Sequence, residues 1–246
     1  MKVCVAQVEP RKGDIQENIK IHMTCVEMAI AENVDFIAFP ELSLTGYERE
    51  LAQELAMEID DSRLDEFQNA SNINHITIGV GMPLKSELGT HISMMFFQPH
   101  QARKIYSKQK LHADEIPFFV EGHEQLILTV GSTEIAPSIC YESTFDEHSE
   151  NAKKLGADVY LASVAKPKGD IDKAYNHYQR VAEELGLTVI LSNSIGPCDN
   201  FLSAGGSAIW DSTGVLQGSI KSQSEGILIF DTIAKEAIEI SIAPVD

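Results

Sequence analysis

Three segments place a reactive side chain where an apolar run gives way to polar residues, a position at which sheet proteins commonly carry catalytic groups. In Phe39-Pro40-Glu41-Leu42-Ser43 a carboxylate directly follows a proline that ends a strand. Desolvated there, Glu41 would have a raised pKa and serve as a general base, although a loop glutamate taken alone is more often solvated. Tyr106-Ser107-Lys108-Gln109-Lys110-Leu111 offers an ammonium. Buried beside a reacting carbonyl, it would stabilise the developing oxyanion by about 3 to 4 kcal/mol. Lys104, Lys108 and Lys110 also read as an ordinary solvated stretch. Pro137-Ser138-Ile139-Cys140-Tyr141-Glu142 ends an apolar run on a cysteine. A thiol with an ordinary pKa of about 8.5 needs a neighbouring base or cation before it can attack at neutral pH. The Tyr141 backbone N–H would then stand close enough to hold an oxyanion. Lone cysteines are otherwise small core residues, the role given to Cys4, Cys25 and Cys198.

The surrounding periodicity predicts the elements that must carry these groups. A strand over Lys2 to Gln7, a helix from about Ile15 to Asn33 and a strand from Asp35 to Phe39 make a strand-helix-strand unit. Asp14 is a natural N-cap with Glu17 three residues on, and Ile19, Met23, Val26 and Ile30 form one buried face. A helix over Arg63 to Ile73 leads to a strand at Ile76 to Val80. Closely spaced strands follow at Ile92 to Phe97, Leu126 to Val130 and Glu134 to Ile139. Helices over Phe145 to Leu155 and Lys173 to Leu185 alternate with strands at Val159 to Ala162, Thr188 to Ser192, Gly206 to Trp210 and Ile227 to Phe230. No linker, repeat or low-complexity tract interrupts the series, so residues 1–246 read as one α/β domain with a two-sheet core under helices.

Composition narrows the class. With 43% hydrophobic and 23% charged residues the chain can bury a core. Its 19 Lys and Arg against 37 Asp and Glu give a net charge of −18, which disfavours nucleic acid and anionic membranes as partners. The first apolar run is too short for a secretion signal, no stretch is long enough to span a membrane, and the four cysteines form no disulfide framework. A cytoplasmic setting is the expectation. The histidines form no HExxH motif, and Gly79 and Gly81 lack the rest of a dinucleotide fingerprint, so neither metal nor cofactor is expected.

Taken in this order, FPELSLTGY, YSKQKL and ICYE resemble the nitrilase superfamily of carbon–nitrogen hydrolases, whose members carry a Glu-Lys-Cys triad. VAQVEPRKGDIQENI, GVGMP, RVAEELGLTVILSNSIG and GGSAIWDSTG extend the likeness over almost the whole chain. The resemblance implies Glu41 as general base, Lys108 as the lysine and Cys140 as nucleophile, with Glu115 as a second glutamate positioning substrate and lysine. Lys110 stands where the family usually has histidine. The resemblance further implies an α-β-β-α four-layer sandwich, a homodimer formed through the helices over 145–155 and 173–185, and a small amide or carbamoyl compound as substrate. Tyr141, where nitrile-cleaving members tend to carry Trp, points to amides over nitriles.

Other readings stay open on the sequence. His112 or His123 could activate Cys140 in a Cys/His hydrolase, the thioester could pass to an amine, or the fold could bind without turnover. Specificity should come from the segments 47–55, 113–121 and 165–173, where Lys166 and Lys168 either face a substrate carboxylate or are solvated.

Overall fold

Alternation along the first strand sets the layering. The computed structural model describes residues 1–221 and 223–242. In β1 (Lys2–Gln7), Val3 and Val5 enter the core between two sheets, while Cys4 and Ala6 face a layer of helices. The same period runs through β2 (Phe36–Ala38), with Phe36 and Ala38 inward and Ile37 outward.

The first half continues with α1 (Ile15–Ala31), α2 (Ala52–Leu55), α3 (Asp65–Asn74), β3 (Thr77–Ser86), β4 (Gly89–Phe97) and β5 (Lys104–Ser107). Next come β6 (Leu128–Val130), β7 (Thr133–Ile139), α4 (Asp146–Lys154), β8 (Val159–Val164), α5 (Lys168–Leu185) and β9 (Thr188–Asn193). The chain then runs through β10 (Ile195–Cys198), β11 (Phe201–Ala204), β12 (Ala208–Trp210), β13 (Leu216–Ser219), β14 (Gly226–Asp231) and β15 (Glu236–Ser241). One sheet has seven strands in the order β15-β14-β1-β2-β3-β4-β5, the other six in the order β13-β12-β9-β8-β7-β6, and β10 pairs with β11 as a separate hairpin.

Val3, Phe36, Ile92, Leu161, Ile190 and Ile209 meet in the core between the sheets. Val26 of α1 and Phe67 of α3 cover the outer face of the first sheet. Ala152 of α4 and Tyr178 of α5 cover the outer face of the second with Tyr160 and Trp210. This is the four-layer α-β-β-α sandwich the resemblance implies. Among the described residues no helix is long and apolar enough to cross a membrane.

Several elements depart from the local pattern. Helix α1 stops at Ala31, with Asn33 in the left-handed region at φ 54°. Helix α5 begins at Lys168, a turn before the expected Lys173, because its apolar stripe starts only at Ile171 while the first turn is polar. The β3–β4 hairpin is longer than Ile76 to Val80 and Ile92 to Phe97 suggest, since Pro83 reads as a strand breaker. Pro83 pairs with Ile92 of β4 on one side, and on the other its carbonyl accepts from the Met57 N–H at 3.0 Å. Strand β2 has already ended there, so the missing N–H breaks no ladder. Strand β5 lies within what the sequence shows as a charged run, and β10, β11, β13 and β15 are too short or too polar to stand out.

Candidate active site

Glu41, Lys108 and Cys140 each follow the carboxyl end of a strand, β2, β5 and β7 respectively. Glu41 sits in a tight turn in which Leu42 takes φ 51° and the Leu44 N–H donates to the Gly81 carbonyl at 3.0 Å. From α1, His22 stacks on Phe39 with ring centroids 4.2 Å apart and places Nε2 2.8 Å from Ser43 Oγ. Burial pushes the His22 pKa down to about 3, so the ring holds this turn as a neutral hydrogen-bonding partner.

Gly81 is what allows the turn to lie so close to β3. A Cβ there would stand 2.2 Å from the Pro40 carbonyl oxygen and 2.7 Å from the Leu42 nitrogen, both backbone atoms. Gly81→Ala must therefore displace Glu41. The expected result is a loss of kcat/KM of about 100-fold, as follows when a catalytic group is misplaced by about 1 Å. A fall in urea stability of about 1 to 3 kcal/mol should accompany it. Wild-type kinetics in a folded Gly81→Ala protein would show that the turn does not constrain Glu41.

Lys108 is fixed by its N–H to Ile92 O at 2.9 Å and its carbonyl from Gly122 N at 2.7 Å. Cys140 ends β7 in the left-handed region at φ 47°, with its N–H donating to Ser163 O of β8 at 3.0 Å and Sγ 3.8 Å from Ala165 O. A non-glycine residue held there is strained, a strain that clusters at functional sites and recurs where a nucleophile caps a sharp turn after a strand.

The side chains of Glu41, Lys108 and Glu115 meet in a fully buried cluster. Lys108 Nζ donates to Glu41 Oε1 at 2.8 Å and to Glu115 Oε1 at 2.7 Å. Tyr47 OH and the His112 N–H complete Glu115, donating to Oε1 and Oε2 at 2.7 Å each. Glu41 Oε2 has no hydrogen-bond partner among the described residues, which leaves one oxygen of this buried carboxylate unmatched. A cavity of about 550 Å³ opens onto the cluster, lined among others by Tyr47, Glu115, Cys140, Tyr141, Lys166 and His177.

Electrostatics divide the roles. Burial raises the Glu41 pKa and Lys108 works against that rise. Burial also opposes the Lys108 charge, but Glu41, the Cys140 sulfur and Glu115 outweigh it, so the ammonium is held firmly. Burial, then the Glu41 charge, push the Cys140 thiol up to about 12, with Lys166 and Lys108 pulling the other way. At neutral pH the sulfur thus rests as a thiol and needs a base to become a nucleophile.

Tyr141 turns a half-exposed side chain toward the cavity, and its N–H has no acceptor among the described residues. His112 lines the same cavity, but Nδ1 lies 2.5 Å from Asp114 Oδ1 and the ring makes no hydrogen bond to Cys140. His123 lines a separate hollow with His91 and Ser86. Neither histidine is arranged as a base for the sulfur.

Two residues matter more here than the sequence suggests. Glu142 is fully buried and accepts from Tyr106 OH at 2.6 Å, Ile139 N at 2.8 Å, Gln109 N at 2.5 Å and Lys110 N at 3.2 Å. It ties the backbone beside Lys108 to the turn that carries Cys140. Its signal was a carboxylate placed two positions after the cysteine, directly beyond the apolar run that Cys140 closes. Lys166, open in sequence to a solvated role, is buried, whereas Lys168 lines another cavity with Tyr175 and Leu202.

A layered α/β enzyme with a buried carboxylate–ammonium cluster beside a cavity that a partly buried cysteine lines is the class that fold and site define together. The carbon-nitrogen hydrolase family model matches residues 2–239, and the chain belongs to that family. Its fold is similar to the NitN amidase from Nesterenkonia sp. AN1, with TM-score 0.86 and 22% identity over 94% of this chain and 92% of that one. A cysteine-to-alanine mutant of that amidase in complex with butyramide superposes with TM-score 0.85 and 22% identity, over 93% and 89% of the two chains. In sequence the chain is 24% identical over 260 residues to the glutamine-dependent NAD(+) synthetase of Thermotoga maritima, covering 98% of this chain and 44% of that protein. It is 25% identical over 255 residues to the Acinetobacter baylyi glutamine-dependent NAD(+) synthetase, covering 99% and 46%. The chain thus spans less than half the length of these curated relatives.

Proposed function

We propose that this carbon–nitrogen hydrolase cleaves a small amide through a thioester on Cys140. The observation that carries the reading is the joining of Glu41 and Lys108 in one buried ion pair beside the cavity that Cys140 lines. Glu41 takes the thiol proton as Sγ attacks the amide carbon, and the Lys108 ammonium with the Tyr141 N–H holds the oxyanion. The C–N bond then breaks, and the proton on Glu41 passes to the leaving nitrogen, which departs as ammonia or an amine. Glu41 next takes a proton from water, whose oxygen attacks the thioester. The C–S bond breaks, the acid leaves, and the proton returns to sulfur. Glu115 positions Lys108 in both halves.

On this reading residues 1–246 act as one domain without a cofactor, and two copies pair through α4 and α5. The butyramide complex of the NitN amidase and the glutamine named in the NAD(+) synthetases both favour amides over nitriles. The test is a screen of butyramide, glutamine, other short ω-amides, carbamoyl amino acids and short nitriles for ammonia release, with intact-protein mass spectrometry after rapid acid quench. Ammonia from an amide and an acyl mass increase on Cys140 are expected. Turnover of nitriles alone, or of amides without any adduct on Cys140, would overturn the reading.

A further inference from the structure

Lys166 is a buried cation with no anion assigned to it. It is only 7% exposed, yet among the described residues its ammonium has no hydrogen bond and no carboxylate within ion-pair distance. Its backbone is held at both polar groups. The N–H donates to Asn193 Oδ1 at 2.8 Å, and the carbonyl accepts from Ala204 N at 2.9 Å and Ser203 Oγ at 3.3 Å. The side chain instead lines the cavity that Cys140 lines, one residue beyond Ala165, whose carbonyl oxygen is 3.8 Å from the Cys140 sulfur.

The other charges around the cavity are already matched. Glu41 and Glu115 share Lys108, Asp114 pairs with Arg49, and Asp170 pairs with Lys173. The charged or titratable groups whose fields reach Lys166 include the Cys140 sulfur, Tyr178, Glu41, Lys108 and His177. Of these only Glu41 is a carboxylate, and it is committed to Lys108. Burying an ammonium without a partner costs several kcal/mol, a cost removed when a ligand brings a negative charge. A protein of net charge −18 repels anions over most of its surface, so an anionic ligand needs a local cation of this kind.

Building on the amide-hydrolase reading, we propose that Lys166 determines specificity by pairing with a carboxylate at the far end of the substrate's acyl chain. The substrate class is the half-amide of a short dicarboxylic acid or an amino-acid relative of it. The amide carbon sits at Cys140, and the carboxylate reaches Lys166 across the same cavity.

The experiment compares succinamate with butyramide, which share a four-carbon chain and differ in the terminal carboxylate. Wild-type protein should show kcat/KM about 100-fold higher for succinamate, and Lys166→Met should cut that ratio by about 100-fold, chiefly through KM. If Lys166→Met lowers both substrates equally, the lysine acts on Cys140 instead and the proposal falls. A wild-type ratio near one also overturns it. Calorimetry on Cys140→Ala protein reads the anion preference without turnover. Tighter binding of succinamate than of butyramide, lost on adding Lys166→Met, supports the subsite even if hydrolysis fails, and equal binding sinks it. Absence of turnover and of a Cys140 adduct with either amide counts against the hydrolytic reading alone.

Discussion

Replacing Glu41 with glutamine is expected to lower kcat/KM for any amide the enzyme hydrolyses by about 10³- to 10⁴-fold, while the melting temperature shifts little. The isosteric amide can still accept from Lys108 but can neither take the thiol proton nor deliver it to the leaving nitrogen. Because the Glu41 charge is one of the forces holding Cys140 protonated, removing it should lower the thiol pKa. Iodoacetamide at neutral pH should therefore alkylate Cys140 in Glu41→Gln at least as fast as in wild type. Faster alkylation with lost turnover separates proton transfer from nucleophile ionisation, whereas wild-type turnover would remove Glu41 from the chemistry. The same logic orders the pH profile. Glu41 must be ionised to act, and burial raises its pKa, so wild-type kcat/KM should fall on acidification at a pH above the ordinary glutamate range.

Lys108→Met should cost as much activity as Glu41→Gln and destabilise the fold as well. Its ammonium is the shared partner of two buried carboxylates, at 2.8 Å from Glu41 and 2.7 Å from Glu115. Removing it strips the oxyanion of its cation and leaves like charges facing each other out of water, a change that typically costs about 3 to 5 kcal/mol. One carboxyl should then hold a proton at neutral pH. The sign follows: the repulsion is relieved as pH falls, so the stability deficit of Lys108→Met against wild type, measured in urea, should shrink from pH 8 to pH 5. A deficit that grows on acidification would mean that the two carboxylates are not coupled through Lys108.

Glu41 and Cys140 stood out as candidates because each closes an apolar run, whereas Lys108 sits in a charged run and was reached through the resemblance. Pro40 before Glu41 and the apolar stretch before Cys140 mark strand ends locally, and local signals survive without the fold. Glu115 was reached through the resemblance, and its place in the cluster rests on Tyr47 and the His112 N–H, which no spacing rule joins to it. Lys166 went the other way. A lysine before Pro167 reads as solvated, and only the packing of β8 against Asn193 and the β10–β11 hairpin buries it. Strand β5 was hidden in a charged run because it is only four residues long and buries only Tyr106 fully, so no alternation of apolar side chains marks it.

The sequence by itself determined which side chains have reactive chemistry, the alternation that sorts residues between two sheets and two helical layers, and an acidity that turns most polyanions away. These depend on residue identity and near neighbours. The tertiary structure alone decided that one ammonium would bridge two carboxylates, that Glu142 would fasten the lysine strand to the cysteine turn, and that Lys166 would lie buried and unmatched. Those outcomes depend on burial and on distances between segments far apart in the chain, and both the dielectric surroundings and the partner of a charge come into being only when the sheets close on each other.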